Sequence, residues 1–498
     1  MSIKKLIHIY LFYLFLIPSL SATMQNEDEI KYNSLEKLFV EQSKIEKKEF
    51  LEFKDLKDIL IKNNKEIKIL MNQINQSKAN YKGKLSSWYP KVYLNSNDLP
   101  KYNIGNNYKN QNDDTSTNKL TFGLNINIDY DIINPQRRLE IKIAEEELIN
   151  SNNLLTSKIN DLYLETTNFF YYIQAAYQEI NVARKSLEIS NIALSEAEGK
   201  YNSGIGNKLD LLEAQTQLDR DQIKLVEVIG KLNKNKNSLF LILNTGDKYD
   251  VKENKKSLIK WFWDSSVDES LTAAYKNRLD LRIKNQDISI NDKKSLSVLS
   301  GKKPNFTFYN QYSLSKSWGE NDVTTNPKFE NENKTINNSF GIKFNWNLFD
   351  GGLIKQNYIS LKNRTEELKN ELNLSRNQIK KQLVDSFIDL DISKQNIMYS
   401  FNQLKAAKET LIISLKRLNA GLTTQREVVN IQADVAEAES NFINSITEYN
   451  ISLAELERLT LIDKKNICSL RTNKENNIVD DFYNFLNENG LNKSCVIL

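Results

Sequence analysis

Histidine is almost absent from this chain: His8 is the single one among 498 residues. His8 lies in a stretch typical of a cleavable export signal, so the mature chain has no histidine. That absence excludes a Ser-His-Asp triad, a Cys-His pair and any metal site with a histidine ligand. We therefore predict a protein without catalysis, cofactor or metal, although a periplasmic enzyme that uses only carboxylates stays open.

Cysteine is nearly as scarce. The two cysteines, Cys468 and Cys495, lie near the C-terminus and do not form a metal-binding cluster. In an oxidising compartment they could form a disulfide that fixes the C-terminal tail. Two independent thiols are an equally good interpretation.

The chain also lacks a basic run and, after its first 22 residues, a long apolar run. Its 68 basic and 64 acidic residues are interleaved and leave a net charge of +4. Nucleic-acid-binding proteins usually carry a basic stripe, so we predict no nucleic-acid partner. No later segment approaches the roughly 18 apolar residues that a membrane-spanning helix needs. If the protein enters a membrane, we expect a β-barrel, because lipid requires every backbone polar group to be paired.

Residues 1–22 have the pattern of a secretory signal peptide. Lys4 and Lys5 precede the apolar run Leu6–Ile17, and small residues then allow cleavage after Ser21 or Ala22. An uncleaved anchor is the alternative, and the short apolar run disfavours it. We therefore expect the mature protein to act outside the cytoplasm.

The chain contains a tandem duplication, because four anchors recur in the same order about 214 to 217 positions later. The anchors are Asn63–Lys68 with Asn277–Arg282, Pro90 with Pro304, Tyr130–Pro135 with Trp346–Gly351, and Lys200–Ile205 with Arg417–Leu422. We predict six segments: signal peptide 1–22, N-terminal extension 23–54, repeat 1 at 55–245, linker 246–267, repeat 2 at 268–462 and C-terminal tail 463–498.

Each repeat is predicted to run helix, strand, loop, strand, long helix, turn, helix. The clearest strands, Leu120–Tyr130 and Phe340–Leu348, alternate apolar and polar residues. This alternation over about 10 residues suits a barrel strand with lipid on one face and water on the other. A half-buried strand of a soluble sheet gives the same pattern. The weaker partner strands are Lys91–Asn95 and Phe306–Leu314, and the Asn-rich stretches 97–119 and 315–338 are predicted to be exposed loops.

The helices have a different period. From Leu155 to Tyr201, apolar residues recur at alternating steps of three and four, which indicates left-handed coiled-coil packing. A helix from about Arg138 to Tyr201 would be about 95 Å long at about 1.5 Å per residue. Gly204 and Gly421 are predicted to be left-handed caps at the tips of two hairpins. The other predicted helices are a long one at about 353–419 and shorter ones at about 209–243 and 423–461, which fold back along the long helices.

With these features the chain resembles the TolC-type outer-membrane efflux protein family over roughly residues 55–462. The resemblance rests on the duplication and on the helix-to-strand junctions at Pro90 and Pro304. It also rests on Trp346–Gly352, a segment that in this family leads from the last strand into the long helix. Repeat 1 departs from that motif at Tyr130–Pro135, where a proline at the helix start is physically sound.

The resemblance implies a mostly α fold with a membrane β-barrel. Each chain of a homotrimer would contribute four strands to a shared 12-stranded barrel, and the helices would form a tunnel through the periplasm. Four strands cannot close alone, and open edges in lipid cost several kcal/mol for each unpaired group, so physical chemistry also requires partner chains. The implied function is the passive outer-membrane channel of a tripartite efflux or type I secretion system, with a periplasmic adaptor (membrane fusion) protein and an inner-membrane pump as partners.

The resemblance also assigns roles at the hairpin tips. Acidic residues there ring the aperture, and three copies of each would favour cations and could bind a metal ion. Solvated acids favoured by the helix dipole are the alternative. Thr423 stands where some members of the family have a gating arginine. The residues assigned to the aperture are Asp210, Glu213 and Glu427, and those assigned to adaptor docking are Gly204, Arg417, Leu418, Gly421 and Leu422.

Two interpretations stay open. Trp261-Phe262-Trp263 in the linker is either a local hydrophobic anchor or part of a belt around the tube. The chain could also be a secreted or surface coiled-coil adhesin or scaffold without a channel. That hypothesis accounts for the helices and leaves the two strand pairs unexplained.

Overall fold

The computed structural model describes residues 49–107, 115–253, 259, 262–320 and 332–462. The chain divides into two compact units. The described residues of the smaller one are Glu49, Phe50 and Asp247–Asp250. Strand β1 (Glu49–Leu51) pairs with β4 (Tyr249–Val251). The larger unit comprises Leu51–Gly246 and the chain from Val251 onward. The signal peptide, Trp261, Cys468, Cys495 and the C-terminal tail predicted from the sequence lie outside the described residues.

The two repeats contain the same elements in the same order. Repeat 1 contains α1 (Leu56–Asn63), α2 (Lys65–Leu85), β2 (Lys91–Asn107), β3 (Thr115–Ile133), α3 (Arg137–Asn202) and α4 (Lys208–Leu243). Repeat 2 contains α5 (Val267–Asn277), α6 (Leu279–Ser300), β5 (Asn305–Glu320), β6 (Glu332–Asn345), α7 (Leu353–Asn419) and α8 (Gln425–Thr460).

The long helices α3 and α7 confirm the helical predictions to within one or two residues at each end. Along α3, the residues at steps of three and four are mostly buried against α4 and α8. Thr166 and Ser190, which fill the two gaps in the apolar series, are buried as well. Tyr201 is the exception, because it lies at the end of the helix and is exposed.

Both repeats interrupt their first helix at equivalent positions. The break lies at Asn64 in repeat 1 and at Arg278 in repeat 2, where the backbone is extended. Beside each break an asparagine side chain reaches the last turn of the repeat's final helix. The Asn64 amide donates to the Ile242 carbonyl at 2.7 Å, and the Asn277 amide donates to the Thr460 carbonyl at 3.2 Å. Both repeats therefore connect the break to the end of their final helix, although the asparagines that do so stand at neighbouring rather than equivalent positions.

One antiparallel sheet of order β2-β3-β5-β6 combines the strands of the two repeats. Its strands are longer than predicted, because most of the Asn-rich stretches 97–119 and 315–338 pair as strand rather than forming loops. The loop prediction was wrong for those residues, because their backbone groups pair with a neighbouring strand whatever the side chain. The strand predicted to reach Leu348 ends instead at Asn345. Trp346 turns away there, and its indole N–H donates to the Lys302 carbonyl at 2.9 Å.

The linker contributes a hydrophobic anchor. Phe262 and Trp263 are buried together with Ile259 against α7 and α8. The Trp263 indole N–H donates to the Ser270 hydroxyl at 3.2 Å. This packing favours the local-anchor interpretation for the two described members of the Trp-Phe-Trp motif.

Within the described residues, no helix combines the length and the apolar character needed to cross a membrane.

Candidate functional site

The sheet has one apolar face that nothing in the described chain covers. Ile126 on β3 lies opposite Leu94 and Tyr312, and Phe308 on β5 lies opposite Ile342. The alternation predicted on two strands therefore holds across all four. Large side chains on this face are exposed, including Val92, Leu94, Ile104, Leu124, Ile126, Ile336, Phe340, Ile342 and Phe344.

The opposite face of the sheet is polar and joined by side-chain hydrogen bonds. The Asn127 amide donates to Asn95 at 2.7 Å, and the Tyr93 hydroxyl donates to Asp129 at 2.8 Å. Lys343 approaches Asp129 at 3.7 Å between nitrogen and oxygen. The two faces of the sheet therefore differ in polarity along all four strands.

A carboxylate fixes the junction between the sheet and helix α7. Asp350 accepts hydrogen bonds from the backbone N–H groups of Gly352 and Ile354, both at 2.9 Å. These bonds hold the pKa of Asp350 below its usual range, the bond from Ile354 contributing most. In repeat 1 the Asn134 side chain takes a comparable place and accepts from the Gln136 N–H at 3.1 Å. The motif Trp346–Gly352 therefore has a physical role: its Asp350 stabilises the start of the long helix directly after the sheet.

Both hairpin tips are built in the same way. Gly204 and Gly421 adopt left-handed φ angles of 74° and 72°. In each tip the glycine N–H and the next N–H bond back to carbonyls of the last helical turn, which is a Schellman motif. The predicted glycine caps are confirmed. The residue after each glycine is apolar and strongly exposed: Ile205 is 85% and Leu422 is 69% exposed.

Asp210 and Glu427 occupy the same place in their helices. Each is the third residue of a helix, and its backbone N–H donates to the side chain of the capping residue, Asn207 at 2.9 Å and Thr424 at 3.3 Å. A negative charge in the first turn is favoured by the helix dipole. Within one chain the two do not share the same charge environment. Glu427 lies 3.6 Å from Arg417 and accepts a short hydrogen bond from the Thr423 hydroxyl, whereas Asp210 forms no ion pair with any described residue.

Glu213, the third predicted aperture acid, joins the two hairpins. Its carboxylate lies 2.5 Å from the guanidinium of Arg426, so a residue of α4 is paired with a residue of α8. Sequence analysis missed Arg426. A cation in the first turn of a helix opposes the helix dipole, and that conflict is the signal that could have identified it. Within the described part of one chain, the three acids do not form a metal-binding group.

The tip of repeat 2 places four of the five predicted docking residues around one turn, and Gly204 occupies the tip of repeat 1. Arg417 and Leu418 belong to the last turn of α7, and Gly421 and Leu422 follow it. Leu418 is partly buried, and Arg417 is turned back toward its own loop, 3.5 Å from the Leu422 carbonyl. Among the predicted docking residues, Leu422 is therefore the freely presented apolar group, and Ile205 is its counterpart in repeat 1.

Comparison with known proteins agrees with this architecture. A family model described as outer membrane efflux protein matches residues 56–245 and 303–460. The structure is similar to a membrane protein from Pseudomonas aeruginosa, with 14% identity, a TM-score of 0.69 and coverage of 82% of this chain and 93% of that one. The Vibrio cholerae outer membrane protein VceC has 14% identity, a TM-score of 0.65 and coverages of 82% and 96%. The Campylobacter jejuni CmeC outer membrane channel has 16% identity, a TM-score of 0.65 and coverages of 85% and 90%. No curated protein sequence matches the chain significantly.

Proposed function

The chain belongs to the outer membrane efflux protein family, and we propose that it forms its channel as a homotrimer that docks to a periplasmic adaptor protein and an inner-membrane pump. As a member of that family it is an outer-membrane channel of an efflux system that extends into the periplasm. Beyond family membership, we infer that the channel is a passive conduit formed by three chains and that it works with the two partner proteins. We also infer that it can serve a type I secretion system.

The exposed apolar face of the sheet is the observation that supports a trimer, because it places the open edges of the sheet in lipid. A sheet with the edge strands β2 and β6 presents unpaired backbone groups on both sides. In lipid each such group costs several kcal/mol, and pairing β6 of one chain with β2 of the next removes the cost. Three chains with four strands each would then close a ring of 12 strands.

The tips support the docking part of the proposal. Two exposed apolar residues, Ile205 and Leu422, follow two equivalent left-handed glycines. Burial of exposed apolar groups such as these in a groove of another protein favours association. We place Asp210, Glu213 and Glu427 at the aperture next to these tips. Asp210 contributes most to the negative field, since the other two are paired with arginines.

The trimer is tested by measuring the mass of the purified protein in mild detergent together with its β-sheet signal. We expect a mass close to three chains and discrete conductance steps in planar bilayers. A stable monomer that keeps the full β-sheet signal would contradict the proposal.

Docking is tested with a photo-reactive residue placed at Ile205 or Leu422 in cells that contain the candidate adaptor. The matched control is Ile392, which is similarly apolar and exposed but lies about 40 Å from the end of α7 at about 1.5 Å per residue. Crosslinks from both tips and none from Ile392 are expected. Equal yields from all three positions would show that the tips have no special role.

A further inference from the structure

Two lysines interrupt the apolar face of the sheet. Lys316 on β5 and Lys334 on β6 are direct cross-strand partners, and both share their face with Leu314, Ile336 and Phe122. Like charges directly opposite each other destabilise a sheet. Glu332, Asn310 and Asn338 are polar residues of the same face, but the nearest neighbours of the lysines include Leu314, Ile336 and Phe122, so the charge needs a partner.

The described part of the chain supplies one acidic partner for the two lysines. Lys316 lies 2.6 Å from Glu332 and 4.8 Å from the centre of the Trp318 ring. Lys334 is exposed and forms no ion pair with the residues that the structure describes. The cluster of Lys316, Lys334 and Glu332 therefore keeps one positive charge.

The depth of the two lysines is set by the register. Lys334 lies ten residues from Phe344 on the same strand and the same face. Ten residues span about 33 Å along a strand at about 3.3 Å per residue. With a strand tilt of about 40° this becomes about 25 Å along the membrane normal, which is the height of the apolar band in membrane barrels. Phe344 lies at the helical end of the sheet, so the lysines lie at the opposite boundary of the band.

Aromatic residues mark the same level. The Trp318 ring packs edge-on against Phe122 with 5.7 Å between ring centres. Tryptophan favours the boundary between hydrocarbon and water, where its ring is apolar and its N–H can be solvated. The neighbouring lysines can therefore extend to the level of the lipid headgroups.

We propose that Lys316 and Lys334 bind a phosphate group in the headgroup of an outer-leaflet lipid. This inference rests on the proposed function, because that function makes the apolar face a lipid-facing one. A phosphate between the two ammonium groups would replace their repulsion by two charge-assisted hydrogen bonds. Glu332 keeps Lys316 in place and leaves Lys334 available to the ligand.

The test measures lipid retained by the full-length protein, using native mass spectrometry in neutral detergent. The probes are bisphosphorylated lipid A, its dephosphorylated form and inorganic phosphate. The variants are Lys316→Gln, Lys334→Gln and the double substitution. Lys343→Gln is the matched control, because Lys343 lies on the same strand β6 but on the polar face.

We expect wild type and Lys343→Gln to retain the phosphorylated lipid equally. The affinity for the phosphorylated lipid should fall about fivefold when either Lys316 or Lys334 is replaced, and by the product of the two factors in the double variant. The dephosphorylated lipid should bind wild type as weakly as the phosphorylated lipid binds the double variant. Equal retention by wild type and the double variant would overturn the inference. Displacement of the lipid by inorganic phosphate at equal concentration would also overturn it, since the site would then bind free anions.

The same preparation separates this inference from the proposed function. Wild type and the double variant are added to vesicles of a neutral lipid, and insertion and conductance are measured. If both insert and conduct but retain lipid A equally, the lysine site alone is wrong. If wild type does not insert, both proposals are wrong.

Discussion

Replacement of Ile126 by arginine tests the orientation of the sheet most directly. Ile126 on β3 pairs with Tyr312 on β5, and Tyr312 pairs with Asn338 on β6. Along β6, Asn338 is six residues from Phe344 and four from Lys334. Six residues correspond to about 20 Å along the strand and, with a tilt of about 40°, to about 15 Å along the membrane normal. In the proposed channel Ile126 would therefore lie near the middle of an apolar band about 25 Å high.

The expected cost follows from that depth. Arginine on the lipid face near the midplane lowers the free energy of unfolding by about 2–4 kcal/mol, and near the rim by about 0–1 kcal/mol. Phe344 lies at the rim, so Phe344→Arg should cost less than Ile126→Arg although both face lipid. Asn127 is the neighbour of Ile126 on the polar face, where arginine can be hydrated. Asn127→Arg removes the hydrogen bond to Asn95 and should cost about 1 kcal/mol or less.

The measurement is the free energy of unfolding of each variant in phospholipid vesicles, obtained by denaturant titration. The expected order of cost is Ile126→Arg, then Asn127→Arg and Phe344→Arg close together. An equal cost for Ile126→Arg and Asn127→Arg would show that the alternation does not separate lipid from water. A larger cost at Phe344 than at Ile126 would refute the assigned depth.

Three further outcomes are expected. Replacing Asp210 by Asn and Glu427 by Gln together should reduce cation selectivity and divalent block in single-channel recordings; unchanged values would leave both as ordinary helix-start acids. Glu213→Gln and Arg426→Gln should each raise the open probability of the channel, and the double variant should add little, because both changes break one ion pair between the hairpins. Asp350→Ala should lower the denaturation midpoint at neutral pH. Since the folded-state pKa of Asp350 is lowered, its contribution is present above the unfolded-state pKa and is lost as the pH falls through the folded-state value, so the variant and wild type should converge in acid.

The periodic elements could be predicted from the sequence because burial dictates their pattern. The ends of α3 and α7 follow from the apolar series and from the glycines that terminate it. The apolar alternation of β3 predicted the faces of the whole sheet. The lengths of the strands could not be predicted in the same way. Asparagine and threonine at the far ends of the sheet have the composition of a loop, yet their backbone groups pair in the ladder.

The tips show a different limit. The glycine caps could be predicted because glycine adopts the left-handed angle at the lowest cost. The pairing of Glu213 with Arg426 joins residues more than 200 positions apart, and nothing in the local sequence of either predicts the other. Only the unfavourable place of Arg426 in its helix indicates that it has a partner elsewhere.

The two junctions between sheet and long helix explain why the repeats are similar in structure but differ in amino-acid sequence. After β6 the chain uses Asp350, whose carboxylate accepts two backbone N–H groups at the start of α7. After β3 it uses Asn134, whose amide oxygen accepts one, and Pro135, which stands directly before the capping residue Gln136. Both solutions satisfy donors that a helix start would otherwise leave unpaired. The physical requirement is therefore the same in both repeats, and two unlike sequences meet it.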